Sequence, residues 1–284
     1  MLTVRDHVGG ERFHLTRCGQ CGLAFIVDPP LPADMPNYYL NPHGAAMTDD
    51  PGHFFRSLQG IALGRDLRLL LRRIRRSDLL LDLGAGDGSL SRYLASKGQR
   101  VEARDMGLGQ HWSVAHVPYR QVDLNSLVID DLGDRQTPAT AVVMRHVLEH
   151  LYRPADVLTT IHEAGVRYVL LVVPNLGSPF RRIFRESWFF WEPPRHLLHF
   201  TDSSIKRLSQ ESNYRVVALD HYGIDEIVTS THRALQLRAR TNSTSWLATL
   251  FGSVLRAKGP LTAVSSVLAA PIVPSVIRVL LERR

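Results

Sequence analysis

The chain has 284 residues, of which 44% are hydrophobic and 21% charged, a composition that fits a soluble globular protein and excludes an intrinsically disordered one. Lys and Arg outnumber Asp and Glu by 34 to 27, and the two cysteines are too few for a disulfide framework. Because no apolar run of signal-peptide length opens the sequence, we expect a cytoplasmic protein. The length accommodates one α/β domain with additions.

The first part of the chain predicts a loop-rich segment followed by a helix. Prolines recur between positions 29 and 51, so residues 1–50 are expected to hold few regular elements. Apolar residues at helical spacing then predict a helix over Phe54–Arg76. For its arginines we favour a solvent-facing surface over contacts with RNA phosphates or anionic lipid. These arginines are Arg65, Arg68, Arg72, Arg73, Arg75 and Arg76.

The most informative segment is a predicted strand, a glycine-rich turn and a helix in direct succession. The apolar run Leu79–Leu83 predicts a buried parallel strand. Gly84, Gly86 and Gly88 then allow the backbone to turn sharply and to approach a ligand closely. From Ser89 the sequence resumes as a helix, whose free N–H groups and dipole face that ligand. This succession predicts a site for a nucleoside cofactor.

Two acidic residues and one serine indicate which nucleoside the turn accepts. Asp105 ends the next alternating segment, where a carboxylate can bind two ribose hydroxyls. A dinucleotide site requires a third glycine at position 89, where this chain has Ser89. Asp82, at the end of the strand, repels a pyrophosphate but suits an ammonium group. The pattern favours S-adenosyl-L-methionine (SAM) over NAD, and an NAD-dependent oxidoreductase is the alternative.

The segment resembles motif I of class I SAM-dependent methyltransferases, of the type 11 and type 23 kind. The resemblance implies that Asp82 and the glycines hold the methionine part of SAM and that Asp105 holds the ribose. It also places Asp123 and Leu124 where the family contacts adenine. The full set of cofactor-binding residues expected from it is Asp82, Gly84, Ala85, Gly86, Gly88, Asp105, Met106, Asp123, Leu124 and Arg145.

Strands and helices alternate through the rest of the central region. The resemblance implies a Rossmann-like α/β fold for residues 51–230, with a doubly wound, mostly parallel seven-stranded sheet. After the first strand, the sequence predicts strands over 100–104, 118–122, 140–144, 166–173 and Tyr214–Asp220, and helices over Ala155–Ala164 and from an N-cap at Thr201 to near Ser212.

A second constellation of polar residues follows the fourth predicted strand. His146, Glu149 and His150 have the spacing of an inverted zinc-peptidase motif, but Pro154 leaves no room for the long helix that such a site needs. Within the methyltransferase family the segment resembles the "LEH" signature of ubiquinone-pathway O-methyltransferases. Either histidine could act as a general base on a hydroxyl acceptor.

Two other interpretations of this constellation stay open. One is a divalent metal site, which resembles that of metal-dependent RNA 2′-O-methyltransferases but has His146 in the place of a glutamate. The other is packing and capping around the end of the strand. We therefore assign His146, Glu149 and His150 as candidate catalytic residues and assign no residue as a metal ligand.

The aromatic segment 188–201 falls on the substrate side of such a sheet. It resembles a signature of bacterial sugar, glycan and lipid methyltransferases. Arg195 or His196 could bind the acceptor, and His196 is included among the candidate catalytic residues with His146, Glu149 and His150. The alternative is that Trp188, Phe190 and Trp191 pack in a lid or core.

Residues 231–284 are expected to form an apolar, helical extension. The stretch 261–281 is long enough to span a bilayer, but Pro271 and Pro274 interrupt it. Packed helices or a final strand over Val276–Leu281 are favoured.

The alternative for the C-terminal extension is peripheral contact with the inner face of the membrane through residues 246–281. Deletion of 246–284 would then leave cofactor binding intact.

Cys18 and Cys21 resemble the second half of a zinc knuckle found in some sugar methyltransferases. A closed zinc site needs four ligands, and no upstream cysteine pair is present. His7 and His14 could substitute, and two reduced thiols in a turn are the alternative.

Taken together, the sequence predicts a SAM-dependent methyltransferase. We expect an O-methyltransferase acting on a small molecule, with a sugar, a glycolipid or an isoprenoid phenol as acceptor. N- or C-methylation of a nucleotide-linked sugar is the alternative within the class, and modification of RNA is less favoured.

Overall fold

The computed structural model describes residues 1–6, 9–39, 63–107, 117–134, 137–223, 230 and 274–284. The chain divides into two compact units. The first unit comprises Met1–Ala62, Pro174–Thr201 and His221–Val276. The second unit comprises Leu63–Val173, Asp202–Asp220 and Ile277–Arg284.

The regular elements are thirteen strands and six α-helices within the described residues. The strands are β1 (Leu2–Arg5), β2 (Arg12–Arg17), β3 (Ala24–Ile26), β4 (Leu80–Leu83), β5 (Val101–Asp105), β6 (Tyr119–Gln121), β7 (Gly133–Asp134), β8 (Thr137–Pro138), β9 (Ala141–Arg145), β10 (Tyr168–Pro174), β11 (Leu198–His199), β12 (Tyr214–Tyr222) and β13 (Val276–Arg283). The helices are α1 (Pro36–Tyr39), α2 (63–71), α3 (Ser89–Ser96), α4 (Pro154–Glu163), α5 (Pro179–Phe184) and α6 (Asp202–Glu211).

A seven-stranded sheet in the order β12-β13-β10-β9-β4-β5-β6 forms the core of the second unit. The pairs β10–β9, β9–β4, β4–β5 and β5–β6 are all parallel. Every residue of β4 and of β10 is buried, because helices cover both faces of such a sheet and its central strands become continuous apolar runs. The doubly wound fold and the predicted central strands are confirmed, each to within two residues of the predicted start.

The predicted helices of the second unit also form. Pro154 occupies the first turn of α4, and α6 begins directly after Thr201. The first helix ends at residue 71 rather than at Arg76. The chain turns there because the Gln99 side-chain amide donates to the carbonyls of Arg75 and Asp78, and the Asp78 carboxylate accepts from the Arg75 N–H. Residues 54–62 lie outside the described part of the chain.

The end of the chain forms a strand, which confirms the alternative of a final strand over Val276–Leu281 and corrects the expectation of a helical extension through residue 284. Strand β13 lies between β12 and β10, and Val276–Leu281 are buried. Its valines and isoleucine favour a pleated sheet, and a short apolar run does not by itself distinguish strand from helix. This burial leaves residues 276–281 unavailable for membrane contact, whereas 246–273 lie outside the described residues.

The first unit contains a small sheet in the order β1-β2-β3-β11. The expectation of a loop-rich segment over residues 1–50 is therefore wrong for residues 2–26, whose strands pair antiparallel. Buried and exposed residues alternate along most of Arg12–Arg17, with the period of two that is typical of a strand. The loop prediction missed this period because it was based on the prolines downstream. Cys18 and Cys21 lie in the β2–β3 turn and are not joined by a disulfide. His14 contacts the Thr3 hydroxyl, and His7 lies outside the described residues.

Across the described ranges, none of the helices has both the length and the apolar character needed to cross a bilayer.

Candidate functional site

The glycine-rich turn joins β4 to α3 as the sequence predicts. Gly84, Gly86 and Gly88 have φ angles of 74°, 53° and 71°, which only glycine adopts without strain. The backbone N–H groups of Gly84 and Ala85 both donate to the carbonyl of Arg104 at the end of β5, at 2.8 and 3.2 Å. These bonds fix the start of the turn at the carboxyl edge of the sheet, where parallel α/β sheets bind their ligands.

Gly84 and Gly86 have different surroundings. A Cβ at Gly84 would lie 2.4 Å from Val147 Cγ2, so the backbone approaches this side chain as closely as glycine permits. A Cβ at Gly86 would meet no atom of the described residues within 4 Å. The turn is therefore packed at its first glycine and open at its second, which leaves room for a ligand over Gly86.

Asp105 lies beside the open part of the turn. Its Oδ2 accepts from the Gly86 N–H at 2.9 Å, and its Oδ1 accepts from the Gly107 N–H at 3.1 Å. An ionised carboxylate offers about four lone-pair positions, so both oxygens keep capacity for ribose hydroxyls. Met106 follows in the same stretch and is half-buried. The geometry fits the role that the sequence resemblance implies for Asp105.

Asp82 lies beneath the turn rather than on its open side. The residue is only 1% exposed, and its Oδ2 accepts from the Ser91 hydroxyl of α3 at 2.6 Å. Burial raises the pKa of the Asp82 carboxyl to about 7; the Ser91 hydrogen bond lowers the pKa and the Asp105 charge raises it. The Ser91 hydrogen bond thus ties the strand to the helix through Asp82 Oδ2, and the role of Asp82 toward the methionine part of SAM stays a prediction.

The other cofactor residues expected from the sequence are spread over neighbouring strands. Asp123 is exposed, and its carboxylate accepts from the Asn125 N–H at 2.9 Å, while Leu124 is buried. Arg145, at the end of β9, donates from Nε to Asp66 of α2 at 3.2 Å. Its guanidinium is thus held by a carboxylate that is itself buried.

The second constellation begins where β9 ends. His146 has a φ of 55°, and its N–H donates to the carbonyl of Val172 in β10 at 2.8 Å. The chain then forms a short 3₁₀ turn over Leu148–His150. His146, Glu149 and His150 therefore do not share a continuous helix, as the sequence predicts from Pro154 and against the peptidase interpretation.

His146 and Glu149 form a side-chain pair. The His146 Nδ1 lies 3.3 Å from Glu149 Oε1, and the Glu149 side chain is fully buried, whereas that of His146 is 26% exposed. With Glu149 ionised, its carboxylate only accepts, and this contact would place a proton on Nδ1 and leave Nε2 as the basic nitrogen of the neutral ring. The arrangement orients the imidazole in the way that a carboxylate orients a catalytic histidine. His150 is half-buried beside this pair.

The aromatic segment belongs to the first unit, where its side chains form a core. Trp188, Phe190 and Trp191 are at most 3% exposed and contact one another edge to face. His196 is also buried, with Nδ1 donating to the Phe190 carbonyl at 2.8 Å and Nε2 3.3 Å from Glu192. These contacts support the packing interpretation for the aromatic residues.

Two polar residues of this segment escaped the sequence analysis. Glu192 lies near both His196 and Arg195, at 3.3 and 3.9 Å. His199 is 1% exposed, and burial lowers its pKa well below the ordinary value, with a smaller contribution from His196. Within the described residues neither ring nitrogen of His199 has a hydrogen-bond partner, and its ring stands edge to face against Trp191. The sequence pattern that could have identified them is the close spacing of Glu192, His196 and His199 in one short segment.

We compared the chain with known protein families, curated proteins and solved structures. A family model described as "Methyltransferase domain" matches residues 55–219. A search of curated proteins finds no match. Among solved structures, a SAM-dependent methyltransferase from Archaeoglobus fulgidus is similar with a TM-score of 0.52 and 15% identity, over 80% of this chain and 94% of that one. A SAM-dependent methyltransferase from Mesorhizobium loti has a TM-score of 0.48 and 13% identity, over 80% of this chain and all of that one (100%). The similarity to the Archaeoglobus fulgidus structure shows that this chain has the same fold.

Proposed function

Since the chain belongs to this family of methyltransferase domains, we propose that it transfers a methyl group from SAM to a hydroxyl of a small molecule. The methyl donor is SAM, as the glycine-rich turn and Asp105 predict from the sequence. We propose a sugar, a glycolipid or an isoprenoid phenol as the acceptor. Methylation of nitrogen or carbon on a nucleotide-linked sugar is the alternative acceptor chemistry.

One observation carries the proposal for the reaction. Strands β4 and β9 are parallel neighbours, with Asp82 paired to Val143, so their carboxyl ends meet at one edge of the sheet. The glycine-rich turn follows β4 and His146 follows β9, and Gly84 contacts Val147 between them. A cofactor on the turn and a base at His146 would therefore lie side by side.

When bound, SAM supplies an electrophilic methyl group on a sulfonium. The open space over Gly86 and the carboxylate of Asp105 would hold the cofactor so that this methyl group faces the acceptor. The Nε2 of His146 would accept the proton of the acceptor hydroxyl, and the deprotonated oxygen would be the nucleophile for the methyl group that SAM would supply. Glu149 is a positioning residue, because its buried carboxylate holds the Nδ1 side of the ring.

The test is a methyl-transfer assay over a panel of hydroxyl acceptors with three proteins: wild type, His146→Ala and His150→Ala. The proposal expects a loss of turnover of at least about a hundredfold in His146→Ala and a smaller loss in His150→Ala, because a positioned base contributes about 10²–10⁴-fold. SAM affinity should stay within a few-fold of wild type in both variants. If each variant keeps near-normal turnover, the assignment of the base is wrong.

The same assay distinguishes the metal alternative. Dialysis against a chelator should leave turnover unchanged if His146 acts as a base alone. A loss of turnover that Mg²⁺ or Mn²⁺ restores would instead assign His146, Glu149 and His150 to a divalent metal.

A further inference from the structure

A basic pocket lies entirely within the first unit. Its volume is about 290 Å³. Three of its lining residues are arginines, Arg17 of β2 and the adjacent Arg181 and Arg182 of α5. Leu15, Leu176 and Trp191 supply an apolar part of the wall. The pocket is close to the lower end of the range of small-molecule sites, about 300–1,000 Å³.

Two of the arginines are held by backbone carbonyls. The Nε of Arg17 donates to the Gly22 carbonyl at 3.0 Å, and the Nε of Arg181 donates to the Leu176 carbonyl at 2.7 Å. A Cβ at Gly22 would lie 2.8 Å from Arg17 Nη2, so the guanidinium packs directly against this glycine. Each bond uses the inner nitrogen of a guanidinium and leaves the two outer nitrogens as donors for a ligand.

The charges of the three arginines are not neutralised by the described part of the protein. No carboxylate of the described residues forms an ion pair with any of the three. Burial lowers the pKa of Arg181, and the neighbouring charges of Arg182 and Arg17 lower it further. Like charges gathered without counter-charges destabilise one another, so the pocket favours an anion.

We propose that this pocket binds the diphosphate group of a ligand. Planar guanidinium groups with two outer nitrogens each match phosphate oxygens in pairs, and a diphosphate carries enough negative charge for three arginines. The apolar wall suits whatever the diphosphate is attached to, a nucleoside or an isoprenoid chain. The proposal is independent of the methyl-transfer reaction, because binding requires neither SAM nor turnover.

The experiment is calorimetry on the full chain without SAM, with pyrophosphate, inorganic phosphate, UDP and farnesyl diphosphate as ligands. The proposal expects pyrophosphate to bind at least tenfold more tightly than phosphate. Arg17→Gln and Arg181→Gln should each weaken pyrophosphate binding at least tenfold. Arg12→Gln, which removes an exposed charge from the same strand β2, is the matched control and should change the affinity less than twofold.

The binding results distinguish the possible sources of the diphosphate group and show which results would overturn the proposal. Tighter binding of UDP than of pyrophosphate assigns a nucleoside diphosphate, and tighter binding of farnesyl diphosphate assigns a lipid-linked one; either result supports the proposal. No pyrophosphate binding in the wild type, or equal losses in Arg12→Gln and Arg181→Gln, overturns it. If Arg181→Gln does not fold, Arg182→Gln at an exposed position of the same pocket provides the comparison.

Discussion

Gly84 and Val147 are in such close contact that a methyl group on Gly84 would lie 2.4 Å from Val147 Cγ2. Gly84 begins the glycine-rich turn after β4, and Val147 follows His146 after β9. Because the two strands are parallel neighbours, this contact joins the cofactor turn to the segment that holds the proposed base. The two halves of the site therefore depend on one another through packing as well as through the sheet.

Gly84→Ala should destabilise the protein more than the loss of a flexible glycine explains. A positive φ costs about 1–2 kcal/mol for a non-glycine residue, and overpacking against Val147 adds about 1–3 kcal/mol. Gly165→Ala is the matched control, because Gly165 has a φ of 83° but, among the residues that the structure describes, no atom within 4 Å of its Cβ position. Urea unfolding measures both, and equal losses of stability would show that Val147 does not constrain the turn.

Gly86→Ala should separate folding from cofactor binding. Its Cβ would meet no atom in the described part of the chain, so its stability loss should match that of Gly165→Ala, about 1–2 kcal/mol. The same methyl group would occupy the space that the cofactor needs beside Asp105. We expect SAM affinity to fall at least tenfold, or about 1.4 kcal/mol, in calorimetry. A folded Gly86→Ala variant with wild-type SAM affinity would contradict the placement of the ligand.

How much the sequence reveals depends on how local each feature is. The turn from Gly84 to Gly88 could be predicted because its signal lies in a few consecutive residues between a buried strand and a helix. For Val276–Leu281 the choice between packed helices and a final strand stayed open, because a short apolar run interrupted by Arg278 has no periodicity that separates a buried strand from a helix.

Contacts between distant residues were likewise beyond the sequence. The Ser91 hydroxyl reaches the buried Asp82 from the next helix, and Arg17 shares a pocket with Arg181 from far along the chain. Neither spacing corresponds to a motif. Such pairs become visible only once the fold brings the elements together.

Asp82 should make stability depend on pH. Its carboxyl has a pKa of about 7 in the folded protein against 3.8 in the unfolded chain, so the folded state binds more protons between these values. The contribution of Asp82 to the free energy of unfolding is fully present below about pH 4 and is lost as the pH rises through about 7. The free energy of unfolding falls by up to about 4 kcal/mol over this range.

Urea unfolding of wild type and Asp82→Asn between pH 4 and pH 8.5 measures this loss. The stability of wild type relative to Asp82→Asn should fall across that interval and then become constant. Asp156→Asn, at an exposed position on α4, is the control for the removal of a carboxylate. A difference between wild type and Asp82→Asn that does not change with pH would contradict the raised pKa of the buried carboxyl.

Arg278 should stabilise the sheet through its ion pair. The side chain lies in β13, is 6% exposed, and donates from Nε to Asp220 of β12 at 2.8 Å. Its Nη1 donates to the Arg65 carbonyl of α2. Arg278→Met should lower the free energy of unfolding by about 1–2 kcal/mol, since the Arg65 carbonyl loses its donor, whereas the 44% exposed Asp220 carboxylate can be solvated.

Arg283→Met changes an exposed arginine of the same strand and should cost less than about 0.5 kcal/mol. Equal small losses in the two variants would show that Arg278 contributes only surface charge.

Deletion of residues 274–284 should abolish cofactor binding, because β13 lies between β12 and β10 and its loss should unfold the sheet. This prediction replaces the expectation that cofactor binding survives deletion of the C-terminal region.

The central claim is that the turn and Asp105 bind SAM, and calorimetry with SAM tests it most directly. The account predicts micromolar affinity in the wild type, a loss of at least tenfold in Asp105→Ala, and no loss in the exposed control Asp156→Ala. NAD should not bind or compete. A folded wild-type protein that does not bind SAM, or that binds NAD instead, would contradict the account.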